Sequence, residues 1–214
     1  MPGQRPITGD VADAPVLVVI SGPAGAGKTT LAHGLARALG CPAICRDEIK
    51  EGMARAAASF TAGPGDELTM RTLPVFFDVL DLLVRAGVTT VAEAAFQDPT
   101  WRQGLEPLSG RARIRIVHCC VDADLAFSRR LRRSVADPLR RAHPDPGPQE
   151  AAAQARRHRA FVRLALDVPA LEVDTTDGYV PPLAEIVAFA DGAGPAGHSR
   201  SGPAPPGSGG CSGD

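Results

Sequence analysis

One segment near the N-terminus constrains the fold more than any other part of the chain. It starts where a short apolar run ends at Ser21, and it leads into a helix-like stretch that begins at Lys28. The segment reads Ser21-Gly22-Pro23-Ala24-Gly25-Ala26-Gly27-Lys28-Thr29-Thr30 and satisfies the pattern G-x-x-x-x-G-K-[ST]. Glycines at these spacings let backbone N–H groups converge on phosphate oxygens, and the following helix adds its positive N-terminal end. The segment therefore predicts a phosphate-binding loop between a strand and a helix.

The polar residues of this loop have distinct expected roles. We expect Lys28 to reach the β and γ phosphates of a nucleotide and the Thr29 hydroxyl to be a ligand of Mg²⁺. Thr30 either approaches the α phosphate or is an ordinary residue of the first helical turn. The predicted nucleotide-binding residues are consecutive: Gly22, Pro23, Ala24, Gly25, Ala26, Gly27, Lys28, Thr29 and Thr30.

The rest of the chain alternates between strand-like and helix-like segments. Strands are predicted at Val16–Ile20, Ala43–Cys45, Val88–Ala92, Ile114–Val121 and Ala170–Val173. Helices are predicted at Lys28–Leu39, within Glu48–Gly87, and at Pro99–Leu108, Asp122–Val135, Gln149–Leu166 and Pro182–Ala190. Several strands are continuous apolar runs, which is typical of a parallel sheet covered by helices on both faces.

Length and composition fit one α/β domain. The 214 residues suffice for one domain over residues 14–191, and the polar residues 1–13 and the Gly/Pro/Ser-rich residues 192–214 are predicted to be disordered. A net charge of −1 excludes a globally basic nucleic-acid coat. The absence of an 18-residue apolar run predicts no membrane segment, and we expect a cytoplasmic protein. The five cysteines show no C-x-x-C spacing, so the sequence supports neither a disulfide framework nor a zinc site.

A second motif follows the second predicted strand. It reads Cys45-Arg46-Asp47-Glu48-Ile49-Lys50. A carboxylate at the carboxyl end of a strand lies on the sheet edge where substrates bind in open α/β folds, so Asp47 is a candidate catalytic base. Asp47 is also a good helix N-cap, and the two roles are compatible. Lys50 lies one turn later and could hold an anionic group of an acceptor, or it could be a solvated lysine.

A third motif ends the third predicted strand. Glu93 follows Val88–Ala92 and takes the place of the second carboxylate of phosphate-binding-loop enzymes, which positions the waters of Mg²⁺. The alternative is a helix cap or an exposed acid. The sequence leaves open whether Glu93 acts on the metal ion or on the substrate.

A fourth motif is rich in arginine. Between Arg129 and Arg141 there are six arginines and one aspartate, a local charge of +5. Arg129 and Arg133 are four residues apart and share a helical face, which suits a lid that brings two guanidinium groups to a transferring phosphate. A solvated basic helix face or a nucleic-acid patch remains an alternative.

Taken in order, these motifs resemble those of the P-loop kinase family that includes the kinase domain of polynucleotide kinase and the zeta-toxin-like and AAA_33-type small kinases. The family pattern R-D-D-x-R matches Arg46-Asp47-Glu48-Ile49-Lys50, which implies that Asp47 is the base and gives the family's arginine role to Lys50. The family's strand pattern V-I-I-x-D matches the segment ending at Glu93, and its lid pattern R-x-x-x-R matches Arg129 and Arg133. Residues 173–179 resemble the loop beside the adenine.

The resemblance implies a three-layer αβα P-loop fold with strand order 2-3-1-4-5 and an Arg-rich lid between Arg129 and Pro148. It further implies ATP and Mg²⁺ as cofactors and a kinase that phosphorylates a hydroxyl group. A chain with 4% aromatic residues offers few rings on which nucleic-acid bases could stack, so we expect a small-molecule acceptor. The alternatives are a 5′-hydroxyl polynucleotide kinase and a non-catalytic ATP-binding regulatory module. Oligomeric state cannot be predicted from the sequence.

Overall fold

The described part of the computed structural model comprises residues 14–57, 60–63, 65–136, 142–143 and 150–192. Its strands are β1 (Val16–Ser21), β2 (Ala43–Cys45), β3 (Thr90–Glu93), β4 (Arg113–Cys120) and β5 (Ala170–Asp174). Its α-helices are α1 (Lys28–Leu39), α2 (Arg46–Ala56), α3 (Glu67–Arg85), α4 (Asp98–Leu105), α5 (Ala123–Ala136), α6 (Ala151–Arg159) and α7 (Leu183–Asp191). The predicted disordered tails, apart from Gly192, and most of the predicted lid after Ala136 lie outside these residues.

The strands form one parallel sheet in the order β2-β3-β1-β4-β5. This confirms the predicted fold and strand order. The central strand β1 is fully buried, since it pairs with β3 on one side and with β4 on the other. Because all strands run the same way, the loops that follow β1, β2, β3 and β4 lie at one edge of the sheet.

Helices cover both faces of the sheet, as predicted. On one face Val18 and Ile20 of β1 pack against α1 and α7. On the other face Leu17 and Val19 pack against α3 and α4. The single tryptophan, Trp101, is fully buried on this second face in a cluster with three phenylalanines: Phe76, Phe77 and Phe96. The alternation of β1 side chains thus divides the core into two layers, as the strand period of two requires.

Several predicted bounds differ from the structure: α2 starts at Arg46 instead of Glu48, and α4 ends at Leu105 instead of Leu108. Strand β3 starts two residues later than predicted, at Thr90, and includes Glu93 as its last residue. The helix predicted for Gln149–Leu166 is wrong beyond α6, because the chain leaves the helix after Arg159. The backbone of the segment after Arg159 forms hydrogen bonds with the start of α4. The Asp98 carboxylate accepts from the N–H of Ala165, and the N–H of Asp98 donates to the carbonyl of Val162. These tertiary hydrogen bonds favour a non-helical segment in which Leu164 is buried.

Candidate active site

The loop between β1 and α1 passes directly against β4 and α5. Gly22 and Gly25 have φ angles of 148° and 91°, which residues with a side chain rarely adopt. A Cβ on Gly22 would lie 2.5 Å from the carbonyl oxygen of Cys119, and a Cβ on Gly25 would overlap the carbonyl of Ala126. Glycine is therefore required at both positions, because the loop backbone packs directly against Cys119 of β4 and Ala126 of α5.

Lys28 is the first residue of α1, and its side chain turns back over the loop. Its Nζ donates a 3.0 Å hydrogen bond to the carbonyl of Pro23 and lies 3.7 Å from Oε1 of Glu93. The side chain is 7% exposed. The ammonium group is thus held inside the loop. The positive N-terminal end of α1 lies at the same place, so both would attract a phosphate group.

Glu93 meets Lys28 because of the strand register. As the last residue of β3 it lies opposite Ile20 of β1 and Cys45 of β2. Its Oε2 accepts a 3.0 Å hydrogen bond from the hydroxyl of Thr29, and the residue is 4% exposed. Burial raises the pKa of Glu93 above its ordinary value, although the Lys28 ammonium opposes the shift.

Thr29 and Glu93 have the donor chemistry of a magnesium site. A hydroxyl and a carboxylate are the hard oxygen ligands that Mg²⁺ prefers, and water and phosphate oxygens ordinarily complete its octahedral shell. The residues present therefore fit the metal ion that the sequence predicts. The hydrogen bond between the two side chains places both oxygen donors next to each other.

Asp47 lies in the first turn of α2, at the same sheet edge. Its carboxylate is half-exposed, and Oδ1 accepts a 3.0 Å hydrogen bond from Arg46 Nη1. Burial tends to raise the pKa of Asp47, but His143, Arg46 and Lys28 together hold it below the ordinary value. The side chain does not cap α2, because the residue at the cap position is Cys45. Asp47 is thus a carboxylate of lowered pKa at the sheet edge that also holds Glu93 and Lys28.

A cavity of about 650 Å³ opens on the other side of the loop. It is lined by the loop, by α5 and by the chain after β5, with these residues: Gly25, Gly27, Thr30, Arg129, Arg132, Arg133, Thr175, Gly178 and Tyr179. Arg129 Nη2 donates to the carbonyls of Thr175 (2.7 Å) and Thr176 (3.0 Å). The Thr175 hydroxyl in turn donates to the carbonyl of Ala26 at 3.1 Å. These hydrogen bonds link Arg129 of α5 to the phosphate-binding loop through Thr175, which lines this cavity.

The model of one protein family matches this sequence. The family is AAA_33, described as an AAA domain, and the match covers residues 17–168. The chain belongs to the AAA_33 family. This confirms the family that the four motifs predict. No protein with a curated description matches the sequence.

Solved structures show the same fold as this AAA_33 domain. A candidate kinase from Chloroflexus aurantiacus is 21% identical, with a TM-score of 0.74 over 84% of this chain and 98% of its own. Shikimate kinase from Acinetobacter baumannii is 17% identical, with a TM-score of 0.55 over 84% of this chain and 95% of its own. A sugar kinase from Janibacter sp. HTCC2649 is 22% identical, with a TM-score of 0.52 over 82% and 92% of the two chains. The AAA_33 domain thus has the P-loop kinase fold.

Lys50 of the AAA_33 domain lies in a different environment from the one predicted. The residue is 1% exposed, and its Nζ lies 2.7 Å from Oδ2 of Asp66, with the Phe60 ring 5.7 Å away. Asp66 also caps α3 by accepting from the N–H of Thr69. The ammonium is therefore part of a buried ion pair that joins α2 to α3, and a role in holding the acceptor stays a prediction.

Sequence reasoning missed a second cavity of the AAA_33 domain, next to Pro23 and Ala24. It has a volume of about 290 Å³. Polar or charged side chains from three separate segments line it: Gln97, Arg130, Gln154, Arg157 and His158. Phe127 and Phe161 form apolar parts of its wall. The arginine pattern of α5 singled out Arg129 and Arg133, and no local signal in the sequence links Arg130 to Arg157 in α6.

The described residues of the AAA_33 domain form no helix that is both long and apolar enough to cross a membrane. Four cysteines lie in the described part of the chain, and all four are free thiols: Cys41, Cys45, Cys119 and Cys120.

Proposed function

We propose that this protein is an ATP- and Mg²⁺-dependent kinase that transfers the γ-phosphoryl group to a hydroxyl group of a small molecule. The observation that carries the proposal is the convergence of Lys28, Thr29 and Glu93 with the ionised Asp47 at one sheet edge. A nucleotide-binding loop alone has no need of a carboxylate base beside it. The P-loop kinase fold supports the same conclusion.

The donor nucleotide is bound by the loop and by α1. Backbone N–H groups of the glycine-rich loop bind the phosphate oxygens, and Lys28 neutralises charge on the β and γ phosphates. The larger cavity, lined by Arg129 and Tyr179, receives the base. The chain has no N-K-x-D motif for reading guanine, which favours ATP over GTP.

Thr29 and Glu93 would hold a magnesium ion through their hard oxygen atoms, and the ion would supply positive charge that stabilises the charge developing during phosphoryl transfer. Glu93 also keeps Thr29 oriented, because its carboxylate accepts the hydrogen bond of the hydroxyl.

Asp47 acts as the general base toward the acceptor. Its low pKa keeps it ionised at neutral pH, so it can accept the proton of the attacking hydroxyl as the phosphoryl group is transferred. Arg133, and Arg129 through its contacts with the loop after β5, stabilise the nucleotide and the transferring group from α5.

The acceptor enters through the smaller cavity beside Pro23. Its volume suits a molecule of small-metabolite size, and its arginine and glutamine side chains suit a polar or anionic one. A polynucleotide would need an extended basic track with several stacking aromatic rings, whereas this cavity offers two phenylalanines.

The experiment compares wild-type protein with Asp47→Asn in the presence of radiolabelled ATP, Mg²⁺ and a pooled panel of small hydroxyl compounds. We expect label to move to at least one acceptor, and Asp47→Asn to lower that rate by at least about 100-fold. Its Kd for ATP should stay within about twofold of wild type, because the base does not bind the nucleotide. The matched control is Asp78→Asn, the same change at an exposed position of α3, which should leave both quantities unchanged.

Three outcomes contradict the proposal or the role that it gives to Asp47. Tight ATP binding with no transfer to any acceptor, including an oligonucleotide with a 5′-hydroxyl, would indicate a regulatory nucleotide-binding module. Transfer to the oligonucleotide alone would indicate a polynucleotide kinase, and binding should then weaken steeply as salt is raised. Unchanged turnover in Asp47→Asn would refute Asp47 as the base.

A further inference from the structure

Three side chains with metal-binding atoms meet at the edge strand β2, outside the phosphate-binding loop. His33 comes from the middle of α1, Cys45 is the last residue of β2, and Glu48 lies in the first turn of α2. One potential ligand atom from each residue lies within 4.8 Å of the other two. Three different elements therefore present an imidazole, a thiol and a carboxylate to one point.

The spacing of these atoms is close to that of a tetrahedral metal site. His33 Nε2 lies 2.6 Å from Glu48 Oε1 and 3.9 Å from Cys45 Sγ. Bonds of about 2.0 to 2.3 Å to a tetrahedral zinc ion separate neighbouring ligand atoms by about 3.4 to 3.6 Å. The two observed distances lie on either side of that range, so shifts of less than about 1 Å would bring all three atoms to bonding distance of one ion.

The three side chains of the cluster differ in their exposure to solvent. Cys45 is 2% exposed, whereas the side chains of His33 and Glu48 are 48% and 45% exposed. An ion bound here would be coordinated by the buried Cys45 sulfur on one side and would be accessible to solvent on the opposite side. Sites with three protein ligands and one water molecule have this form.

The donor set is chemically different from the one at the phosphate-binding loop. Thr29 and Glu93 offer only hard oxygen atoms, which suit Mg²⁺. Cys45 and His33 add a sulfur and an imidazole nitrogen, which favour zinc and its first-row neighbours over Mg²⁺. The two sites should therefore discriminate between the two kinds of ion.

We propose that His33, Cys45 and Glu48 together bind one divalent transition-metal ion of the zinc class, with a water molecule as the fourth ligand. On binding, the Cys45 S–H bond breaks, the sulfur donates an electron pair to the ion, and the proton passes to solvent. The charge balances without any redox partner, because a metal dication and a thiol give a metal–thiolate unit and one proton.

Metal binding at this position would affect the start of α2. Cys45 and Glu48 flank Asp47 in sequence, and His33 lies on α1, so a bound ion would link α1 to the first turn of α2. The site thus adds a metal-dependent restraint next to the proposed catalytic base.

The test uses Co²⁺ as a spectroscopic probe on the full-length reduced protein without nucleotide. We expect one equivalent of Co²⁺ to give a thiolate-to-cobalt charge-transfer band in the near ultraviolet and the visible bands of a four-coordinate ion. Cys45→Ser should abolish the charge-transfer band, and His33→Ala should raise the Kd for Co²⁺ by at least about tenfold. The matched control is Cys41→Ser, which removes a partly exposed free thiol near β2 but outside the cluster and should keep the full spectrum.

Thermal unfolding provides a second measurement. Zn²⁺ should raise the melting temperature of wild type and Cys41→Ser but not of Cys45→Ser, and the unfolding transition of metal-free Cys45→Ser shows whether that variant is folded. A wild-type protein without the charge-transfer band, or a folded Cys45→Ser protein that retains it, would overturn the proposal. Neither measurement depends on phosphoryl transfer, so the result stands whether or not the protein is a kinase.

Discussion

The hydroxyl of Thr29 donates a 3.0 Å hydrogen bond to Oε2 of Glu93, although 64 residues separate them in sequence. The contact joins the first turn of α1 to the end of β3. It exists because β3 pairs with β1 so that Glu93 lies opposite Ile20, at the entrance to the phosphate-binding loop. The bond orients the Thr29 hydroxyl, which the loop motif assigns to magnesium binding.

Thr29→Ala removes this hydroxyl and leaves the backbone of the loop intact. We expect kcat for phosphoryl transfer to fall by at least about tenfold, with a smaller change in the Kd for ATP, because metal binding acts mainly on the transferring phosphate. Steady-state kinetics across a Mg²⁺ titration would measure this. Thr61→Ala, at an exposed position, is the control, and an equal loss in both variants would contradict the role of Thr29.

Arg129→Lys tests the link between α5 and the loop after β5. Arg129 Nη2 donates to the carbonyls of Thr175 and Thr176, and Nη1 donates to the Thr175 hydroxyl at 3.5 Å. A lysine ammonium has a single nitrogen and cannot replace donors at both positions. We expect the Kd for ATP to rise by about fivefold, measured by calorimetry. Arg37→Lys on the exposed face of α1 should bind ATP as wild type does. An unchanged Kd in Arg129→Lys would separate Arg129 from nucleotide binding.

Arg157→Gln tests the cavity beside Pro23. If this cavity receives the acceptor, loss of the guanidinium group should raise the KM for the acceptor by about tenfold and leave the KM for ATP unchanged. Arg156→Gln is the matched control, because Arg156 is the adjacent residue of α6 and does not line the cavity. Equal effects of the two substitutions would indicate a general effect of charge instead of a contact with the acceptor.

Asp66→Asn tests the buried pair with Lys50. The substitution keeps an acceptor for the N–H of Thr69 but leaves the Lys50 ammonium without its counter-charge. We expect the free energy of unfolding at pH 7 to fall by about 3 kcal/mol, measured by urea denaturation. In the double variant Lys50→Met/Asp66→Asn the loss should be smaller, because no unpaired charge remains buried. A double variant less stable than the single one would contradict this account.

The same pair gives a pH dependence of stability. Burial would raise the pKa of Asp66, but hydrogen bonds from Lys50 and from the N–H groups of Thr69 and Gly63 lower it to about 2, from an ordinary value of 3.8. The stabilisation is therefore fully present above pH 3.8 and is lost as the pH falls towards 2. The difference in stability between wild type and Asp66→Asn should shrink over that interval, as measured by denaturation at several pH values.

The phosphate-binding loop and the two-sided α/β fold were predictable from local sequence, whereas α2 starts at Arg46, two residues before the predicted Glu48, so that Asp47 lies within its first turn. The loop is recognisable because its glycines satisfy requirements within one short segment, such as the positive φ of Gly25. The parallel sheet followed from apolar strands that alternate with helices. The strand order came from resemblance to a family, since alternation alone does not fix order.

Contacts between distant segments were decided by the tertiary structure. The chain after Arg159 leaves the helix because Asp98 and Gln97 bond to its backbone. Sequence alone did not show that Lys50 would form a buried ion pair with Asp66, and no cysteine spacing indicated that Cys45 would meet His33. A local motif constrains its own backbone, so sequence alone reveals it. The burial of the Lys50 charge and the meeting of His33, Cys45 and Glu48 depend on strand register and helix packing. Register and packing form only when the whole domain folds.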